Sequence, residues 1–290
     1  MKNLLNYKSI EINEKDISNF KSEREFTHLA FELSRETGIY LSEISCIMPR
    51  EEGFTRDEAI LSAHLVRVSK LFLVVIEQSS KNRQEILNIF ARLIYESLIN
   101  LMFLLKNDSK EIFDSYVKYS LQEDKRLWNR IEDNIKERGT VELPIEKRMK
   151  RSIQKNFELG EIELSAVDEN SKAPWGDKSI YQRAKDLGLE KMHLHMFSGQ
   201  SHSIHGNWND LIFYHLEKKG NYFIPDFDWN DARPQGLIAQ SILATEALEL
   251  YFERFDIDIK EKVLKKLDSL RKRLIKLNHL HEDYLIQKET

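Results

Sequence analysis

The sequence contains little of what makes turns and cross-links. Its 290 residues include one cysteine, five prolines and ten glycines. Because Cys46 is the single cysteine, an internal disulfide framework and a multi-cysteine metal site are excluded, and a reducing compartment fits. We expect Cys46 to be a small buried hydrophobic residue, since no histidine or cationic cluster lies near it in sequence. The scarcity of proline and glycine favours long helices.

The chain also lacks a strong charge of one sign and an apolar leader. Its net charge is -4, so any nucleic acid would have to bind a local basic patch. No continuous apolar run opens the sequence, which predicts the absence of a secretory signal and a cytoplasmic protein. An apolar content of 41% and a charged content of 32% are typical of soluble globular proteins.

Strand-type alternation is short wherever it occurs, whereas apolar residues recur at helical spacing through most of the chain. We therefore predict an all-α fold, a bundle of roughly eight helices. Residues 1–55 are expected to form an N-terminal helical extension, residues 56–290 a continuous bundle, and residues 161–176 an exposed loop. The predicted helices cover residues 23–35, 55–78, 86–105, 110–138, 179–188, 189–205 and 234–255, a stretch from Pro144, and a last helix from about Asp258 with a heptad seam of Val263, Leu267, Leu270, Leu274 and Leu277.

The stretch 86–105 is apolar nearly all the way round and carries only two charges, Arg92 and Glu96. A helix of this kind is typically buried. Its length would also suit a membrane span, but the two charges and two asparagines argue against one. The polar residues fall at steps of four and therefore share one face, which predicts a buried polar stripe of Gln84, Asn88, Arg92, Glu96 and Asn100. At i and i+4, Arg92 and Glu96 are expected to offset part of each other's burial cost.

A second informative stretch is histidine-rich. His193, His195, His202 and His205 lie within residues 192–208, but their spacing differs from H-E-x-x-H and no cysteine or acid accompanies them. We therefore predict no metal site and no cofactor. Ser201 and His205 share a helix face, and we expect them to lie opposite the stripe of Arg92 and Glu96, near Asn207 at the helix end.

One local basic patch follows Pro144. Lys147, Arg148 and Arg151 lie in IEKRMKRSIQK, which favours either a solvated helix face or contacts to nucleic-acid phosphates.

Four stretches in order carry a family resemblance over about residues 60–210. They are an Arg-x3-Glu pair in ARLIYESLINLMFLL, an aromatic-rich helix in IFDSYVKYSLQEDKRLW, a Trp-Gly in APWGDKSIYQRAKDLG and a Ser-x3-His in SGQSHSIHG. In these the chain resembles a bacterial all-helical family of uncharacterised function, which is similar to the wider HEPN group. The resemblance implies a HEPN-like fold and a metal-independent ribonuclease of antiviral or toxin–antitoxin systems. It also implies a homodimer, or a complex with a partner defence or antitoxin protein.

On that hypothesis RNA is the substrate and the 2′-OH is the nucleophile. A neutral His205 takes its proton, and Arg92 stabilises the charge on the phosphate. Glu96 would orient Arg92, and Ser201 would hold His205 or a phosphate oxygen. The residues expected to bind the RNA are His202, Asn207, Lys147, Arg148 and Arg151. No membrane association is predicted.

The nuclease signature of HEPN proteins is an Arg, a polar residue and then a His, with four to six residues between the Arg and the His. The only match here is Arg273 to His279, with Leu274 at the polar position and outside the resembling region, so we interpret it as chance. The alternative function is a non-catalytic binding or scaffold protein of a defence system. In that case Arg92, Glu96, Ser201 and His205 form a structural polar network.

Overall fold

The computed structural model describes residues 7–198, 201–255 and 260–289, without the side chains of Ser198, Ser201 and Glu289. The fold is all-α, as predicted. In chain order the helices are α1 (Glu14–Ile17), α2 (Glu23–Ser45), α3 (Arg56–Ser80), α4 (Gln84–Lys106), α5 (Lys110–Ser120), α6 (Gln122–Glu137), α7 (Pro144–Gly160), α8 (Ile180–Asp186), α9 (Glu190–His193), α10 (Ser201–His205), α11 (Trp208–Tyr214), α12 (Pro234–Arg254) and α13 (Lys260–Glu289). Short 3-10 turns lie at Leu164–Ala166 and Trp175–Asp177, and a π-helical turn at Leu194–Ser198.

The main core lies between five long helices. α3 and α4 form an antiparallel pair, and α12 packs against α2, α4 and α13. α2 therefore contributes to this core, although its residues fall in the stretch predicted as an N-terminal extension. A smaller core of Val117, Leu121, Ile131, Ile153, Phe157 and Val167 joins α5, α6 and α7.

α2 is ten residues longer than predicted, because the Thr37-Gly38 pair does not end it. Gly38 lies where α2 approaches α3, and a Cβ there would come 3.1 Å from Ile76 Cδ1. The Thr37 hydroxyl donates to the Leu33 carbonyl at 2.9 Å, so its polar group is satisfied inside the helix. The glycine thus permits close helix packing rather than a stop. Cys46, just after α2, is exposed, so the prediction that it is buried was wrong.

Two further predictions about local structure were wrong. The stretch 110–138 is two helices, which meet at Leu121, a residue buried in the smaller core. The turn-rich stretch after Tyr214 contains an antiparallel hairpin of β1 (Leu216–Lys219) and β2 (Tyr222–Pro225), with Lys219 opposite Tyr222. Strands of four residues are too short to produce a recognisable alternation.

The last helix confirms its predicted seam. Val263, Leu267, Leu270, Leu274 and Leu277 are fully buried, and α13 packs against α12 and α2. Beside this seam Arg273 forms a two-pronged ion pair with the fully buried Glu36, with Nη1–Oε2 at 2.6 Å and Nη2–Oε1 at 2.7 Å. Arg273 also donates to the Ile10 carbonyl, while His279 is exposed. Arg273 thus ties α13, α2 and the N-terminal segment together.

α3 and α4 are long and apolar enough to span a bilayer by length and composition alone. Most of the apolar window of α4 is buried inside the bundle, which is the usual position of a core helix in a soluble protein.

His64 is a buried histidine between α3 and α5. Its ring lies 5.5 Å from that of Tyr116, and neither ring nitrogen has a hydrogen-bond partner among the described residues. Burial, with a smaller contribution from the Arg67 charge, lowers the pKa of His64 from its ordinary 6.5 to about 4.

This lowered pKa predicts acid sensitivity. Below about pH 6.5 the unfolded chain takes up a proton at His64, whereas the folded protein stays neutral there until about pH 4. The free energy of unfolding should therefore fall across this window by roughly 3 kcal/mol from this residue. Urea unfolding of the parent and of His64→Leu at both ends of the window measures it, with the exposed His279→Leu as control. An equal loss in the parent and in His64→Leu would contradict the assignment.

Candidate functional site

The polar stripe of α4 lies at the edge of the bundle. Asn88 is buried, and Gln84, Arg92 and Asn100 are half-buried, but Glu96 is exposed. Among the residues that the structure describes, Glu96 makes no hydrogen bond or ion pair, although its negative charge acts on Arg183 and opposes the lowering of that residue's pKa by burial. The expected buried pair of Arg92 and Glu96 was therefore wrong. α3 and α12 pack against the apolar sides of α4. The polar stripe is therefore available for contacts with the segment 180–233.

The segment 180–233 runs along this stripe in the opposite direction. At the start of α4 the side-chain oxygen of Gln84 accepts a hydrogen bond from the backbone N–H of Arg233 at 2.8 Å. The backbone N–H of Gln84 donates to the Asn230 carbonyl at 3.2 Å. Gln84 Nε2 donates to Asn88 Oδ1 at 2.7 Å, and Asn88 Nδ2 donates to the Tyr214 hydroxyl at 2.9 Å. The first two residues of the stripe thus hold the end of the segment.

At the middle of the stripe, Arg92 packs against an aromatic cluster of Phe197, His193 and Tyr95. Its guanidinium carbon lies 4.1 Å from the centroid of the Phe197 ring, a cation–π distance. Phe197 stacks on His193 at 4.8 Å, and the Tyr95 hydroxyl is 3.2 Å from His193 Nδ1. Burial and the nearby Arg92 charge lower the pKa of His193. His193 is therefore a neutral packing residue at pH 7.

The far end of the stripe holds a buried cation that sequence reasoning missed. Arg183 on α8 donates to Asn100 Oδ1 at 3.0 Å and to the Trp175 carbonyl at 2.9 Å, and it lies 3.5 Å over the Trp175 ring. Burial lowers the pKa of Arg183 to about 10. The signal in the sequence was Asn100, a polar stripe residue that required a partner, together with the APWGDKSIYQRAKDLG stretch that contains both Trp175 and Arg183.

The Trp-Gly pair has a steric basis. Trp175 and Val167 are buried, so the stretch 161–176 is not the wholly exposed loop that was predicted. Gly176 has a φ of +61°, and a Cβ there would lie 2.7 Å from Ile112 Cδ1 on α5. The backbone conformation favours glycine, because side chains rarely adopt it, and a Cβ would also require the tip of the Ile112 side chain to shift.

The short helix α10 packs against α4 and carries the predicted histidines. His205 is exposed, His202 is half-exposed and Asn207 is exposed just beyond the helix. The side chain of Ser201 lies outside the described residues, so its predicted role stays a prediction. α4, which carries Arg92, and α10, which carries His205, are thus neighbouring elements. Arg92 itself contacts Phe197, in the π-helical turn before α10.

Asn207 fixes the hydrogen-bonding state of His202. Its Oδ1 accepts from the Asp210 amide at 3.4 Å and caps α11, which leaves its Nδ2 as the donor to His202 Nδ1. A neutral imidazole that accepts at Nδ1 carries its proton on Nε2. With the Asn207 amide in this orientation, the proton of a neutral His202 ring lies on Nε2.

The basic patch lies on the exposed side of α7, and the other side of this helix packs in the smaller core. Lys147, Arg148 and Arg151 are exposed, whereas Lys150 pairs with Glu132 at 2.6 Å and Glu142 at 3.4 Å. Within the described ranges, the side chains of Lys147, Arg148 and Arg151 have no carboxylate partner. No cluster of three or more histidine, cysteine or acidic side chains suited to a metal occurs in the part of the chain that the structure describes.

These features define an all-α protein in which a polar stripe on a central helix is covered by a histidine-bearing segment. The chain belongs to a family of unknown function, DUF5677, whose model matches residues 58–223. That range contains all but the first two residues of α3, the whole stripe and the segment as far as β2. No curated protein and no solved structure matches the chain.

The hydrogen bond from Asn207 leads to a direct test of the His202 tautomer. In the parent, ¹⁵N chemical shifts should show the proton of neutral His202 on Nε2. In Asn207→Asp the carboxylate can only accept, so the proton should move to Nδ1, while the cap of α11 is kept. Asn209→Asp, at a neighbouring exposed position, is the matched control. The same tautomer in the parent and Asn207→Asp would rule out the proposed contact.

Proposed function

We propose that the protein is a metal-independent endoribonuclease with a HEPN-like fold, acting in the cytoplasm as an effector or toxin of a bacterial antiviral or toxin–antitoxin system. The observation that carries the proposal is the packing of α10 on α4, which puts the exposed imidazole of His205 and the half-buried guanidinium of Arg92 on adjacent elements. Both groups belong to the part of the chain that matches the family.

The chemistry requires only groups of the chain and of RNA. Neutral His205 accepts the proton of the 2′-OH, and the 2′ oxygen attacks the adjacent phosphorus. The bond from phosphorus to the 5′ oxygen breaks, and the leaving oxygen takes a proton from water. The products are a 2′,3′-cyclic phosphate and a 5′-hydroxyl. Arg92 and the N–H of His202 stabilise the charge on the phosphate oxygens.

The correction at Glu96 changes one role in this scheme. Because Glu96 is exposed and forms no ion pair with Arg92, it does not orient Arg92 as we predicted from the sequence. The ring of Phe197, held between Tyr95 and His193, is what Arg92 lies against instead. The exposed cations Lys147, Arg148 and Arg151 support contacts to the RNA backbone, which would make binding strongly dependent on salt.

A different observation favours the alternative, a non-catalytic binding or scaffold protein. At both ends of the stripe the polar side chains form hydrogen bonds within the protein, from Asn88 to Tyr214 and from Arg183 to Asn100. Such satisfied networks fix the packing of helices without any chemistry. On this alternative His205 would contribute to the network, and its removal would cost stability.

Cleavage of a fluorescently labelled single-stranded RNA in the presence of EDTA distinguishes the two. We expect the parent to cleave it and His205→Ala to lose at least about a hundredfold in rate, the usual contribution of a general base. The thermal midpoint should not change, because His205 is exposed. His279→Ala on α13, also exposed, is the matched control. Full activity of His205→Ala, or cleavage that EDTA abolishes, would refute the proposal. An inactive parent with a lowered midpoint for His205→Ala would favour the scaffold.

A second copy of the chain is part of the proposal, and we place its contact on the exposed aromatic residues that follow His205 in the chain. Trp208, Phe213, Tyr222, Phe223, Phe227 and Trp229 on α11, the hairpin and the following loop are each about half or more exposed. At about 200 Å² for a whole aromatic side chain, they expose on the order of 800 Å², the area that each partner buries in a standard interface. Trp208 and Phe223 are in ring contact at 5.8 Å.

The oligomeric state tests this placement. Light scattering should give twice the chain mass for the parent and the chain mass for the double variant Trp208→Ser and Phe223→Ser, because exposed aromatic anchors carry much of an interface's energy. Tyr119→Ser, an exposed aromatic residue on α5, should remain dimeric. A monomeric parent, or a dimer that survives the double substitution, would exclude this face as the interface.

A further inference from the structure

The outer side of α3 combines small and apolar residues with two basic ones. Over its most apolar window α3 exceeds α4 in hydropathy, yet less than half of that window is buried, against about three-fifths in α4. An apolar helix of a soluble bundle normally buries such a surface against another element. Part of α3 is therefore left for a contact that the isolated chain does not provide.

The uncovered residues form a heptad seam. They recur at alternating steps of four and three along α3, the spacing that brings two helices together by knobs-into-holes packing. The same spacing on α13 is filled, because α12 and α2 bury that seam completely. On α3 the corresponding positions are exposed or, for one of them, half-exposed: Ala59, Ala63, Val66, Lys70 and Leu73.

Four of the five seam residues, Ala59, Ala63, Val66 and Lys70, line one groove, and Leu73 is not among its lining residues. With Phe54 and Leu71 at its sides, the groove has a volume of about 620 Å³. Ala59 and Ala63 are small, so a second helix can approach closely, at the short end of the usual 8–10 Å between axes. From Ala59 to Leu73 the seam extends for about 20 Å, the length of a helix of about fourteen residues.

The charges in this groove specify the chemistry of the partner. Arg67 and Lys70 line it, and neither has a carboxylate partner within residues 7–198, 201–255 and 260–289. Lys70 lies in the seam itself, where a single polar residue sets the register of a helix pair and requires a complementary group opposite. We infer that this groove is the docking site for one amphipathic helix of a partner protein, with aspartate or glutamate opposite Lys70 and beside Arg67.

Docking there would reach the edge of the polar stripe. Arg67 Nε donates to Ser97 Oγ at 3.1 Å, and Ser97 follows Glu96 on α4. A carboxylate that bound the Nη groups of Arg67 would lie next to this contact between α3 and α4. The inference depends only on α3 and its surroundings, so it holds whether or not the protein cleaves RNA.

Two synthetic peptides provide the probes. Both are labelled 21-residue amphipathic helices with a leucine and alanine heptad face, one flanked by glutamates and the other by lysines at the same positions. Anisotropy with the full-length protein should show the acidic peptide binding at least about tenfold more tightly than the basic one. Ala63→Arg, an exposed substitution that fills the groove, should abolish binding of the acidic peptide.

Charge reversal is the decisive variant. Lys70→Glu should invert the preference, so that the basic peptide binds more tightly, whereas Lys118→Glu, a matched exposed lysine on α5, should leave the preference unchanged. Equal binding of both peptides, or acidic binding that survives Ala63→Arg, would overturn the inference. So would vesicles with anionic lipid that bind through α3 in place of the peptides, or a dimer that Ala63→Arg dissociates, since the occupant would then be a bilayer or a second copy.

Discussion

Polar side chains on one side of α4 need hydrogen-bond partners, and this requirement determines how the segment 180–233 packs on the helix. Buried or half-buried amide groups at Gln84, Asn88 and Asn100 need partners, and each finds its own along the segment 180–233. An unpaired polar group in such a position costs about 1–3 kcal/mol, whereas a satisfied one is roughly neutral. The segment is therefore held in one register along α4, although it contains only short helices and a small hairpin.

This register explains why the histidines lie where they do. The contacts follow in reverse order along the chain, with Arg183 at Asn100, Phe197 at Arg92 and Tyr214 at Asn88. The helix α10 falls between the last two, so its position against α4 follows from contacts on both of its sides. His205 is exposed at this point because α10 is a single turn at the edge of the bundle.

Periodicity predicted the all-α class, the polar stripe and the seam of α13, because each depends on spacing within one helix. Periodicity failed where the outcome depended on contacts between one helix and another part of the chain. The spacing of four placed Arg92 and Glu96 on one face of α4, but it could not show that the covering segment leaves Glu96 exposed to solvent. The glycine at position 38 predicted a helix end, whereas in the structure it permits the close approach of Ile76 from α3. Arg183 was missed because a buried arginine within a short, charged stretch has no local pattern.

The positive φ of Gly176 links residues that are far apart in sequence. A side chain at this position would strain the turn and require Ile112 to move. The adjacent Trp175 stabilises the buried Arg183 through its ring and its carbonyl, and Arg183 in turn donates to Asn100. A change at one glycine would thus strain the turn that holds Trp175 against Arg183 at one end of the stripe. Among relatives, we expect Gly176, Trp175, Arg183 and Asn100 to be kept or lost as a set, even where the surface around them has diverged.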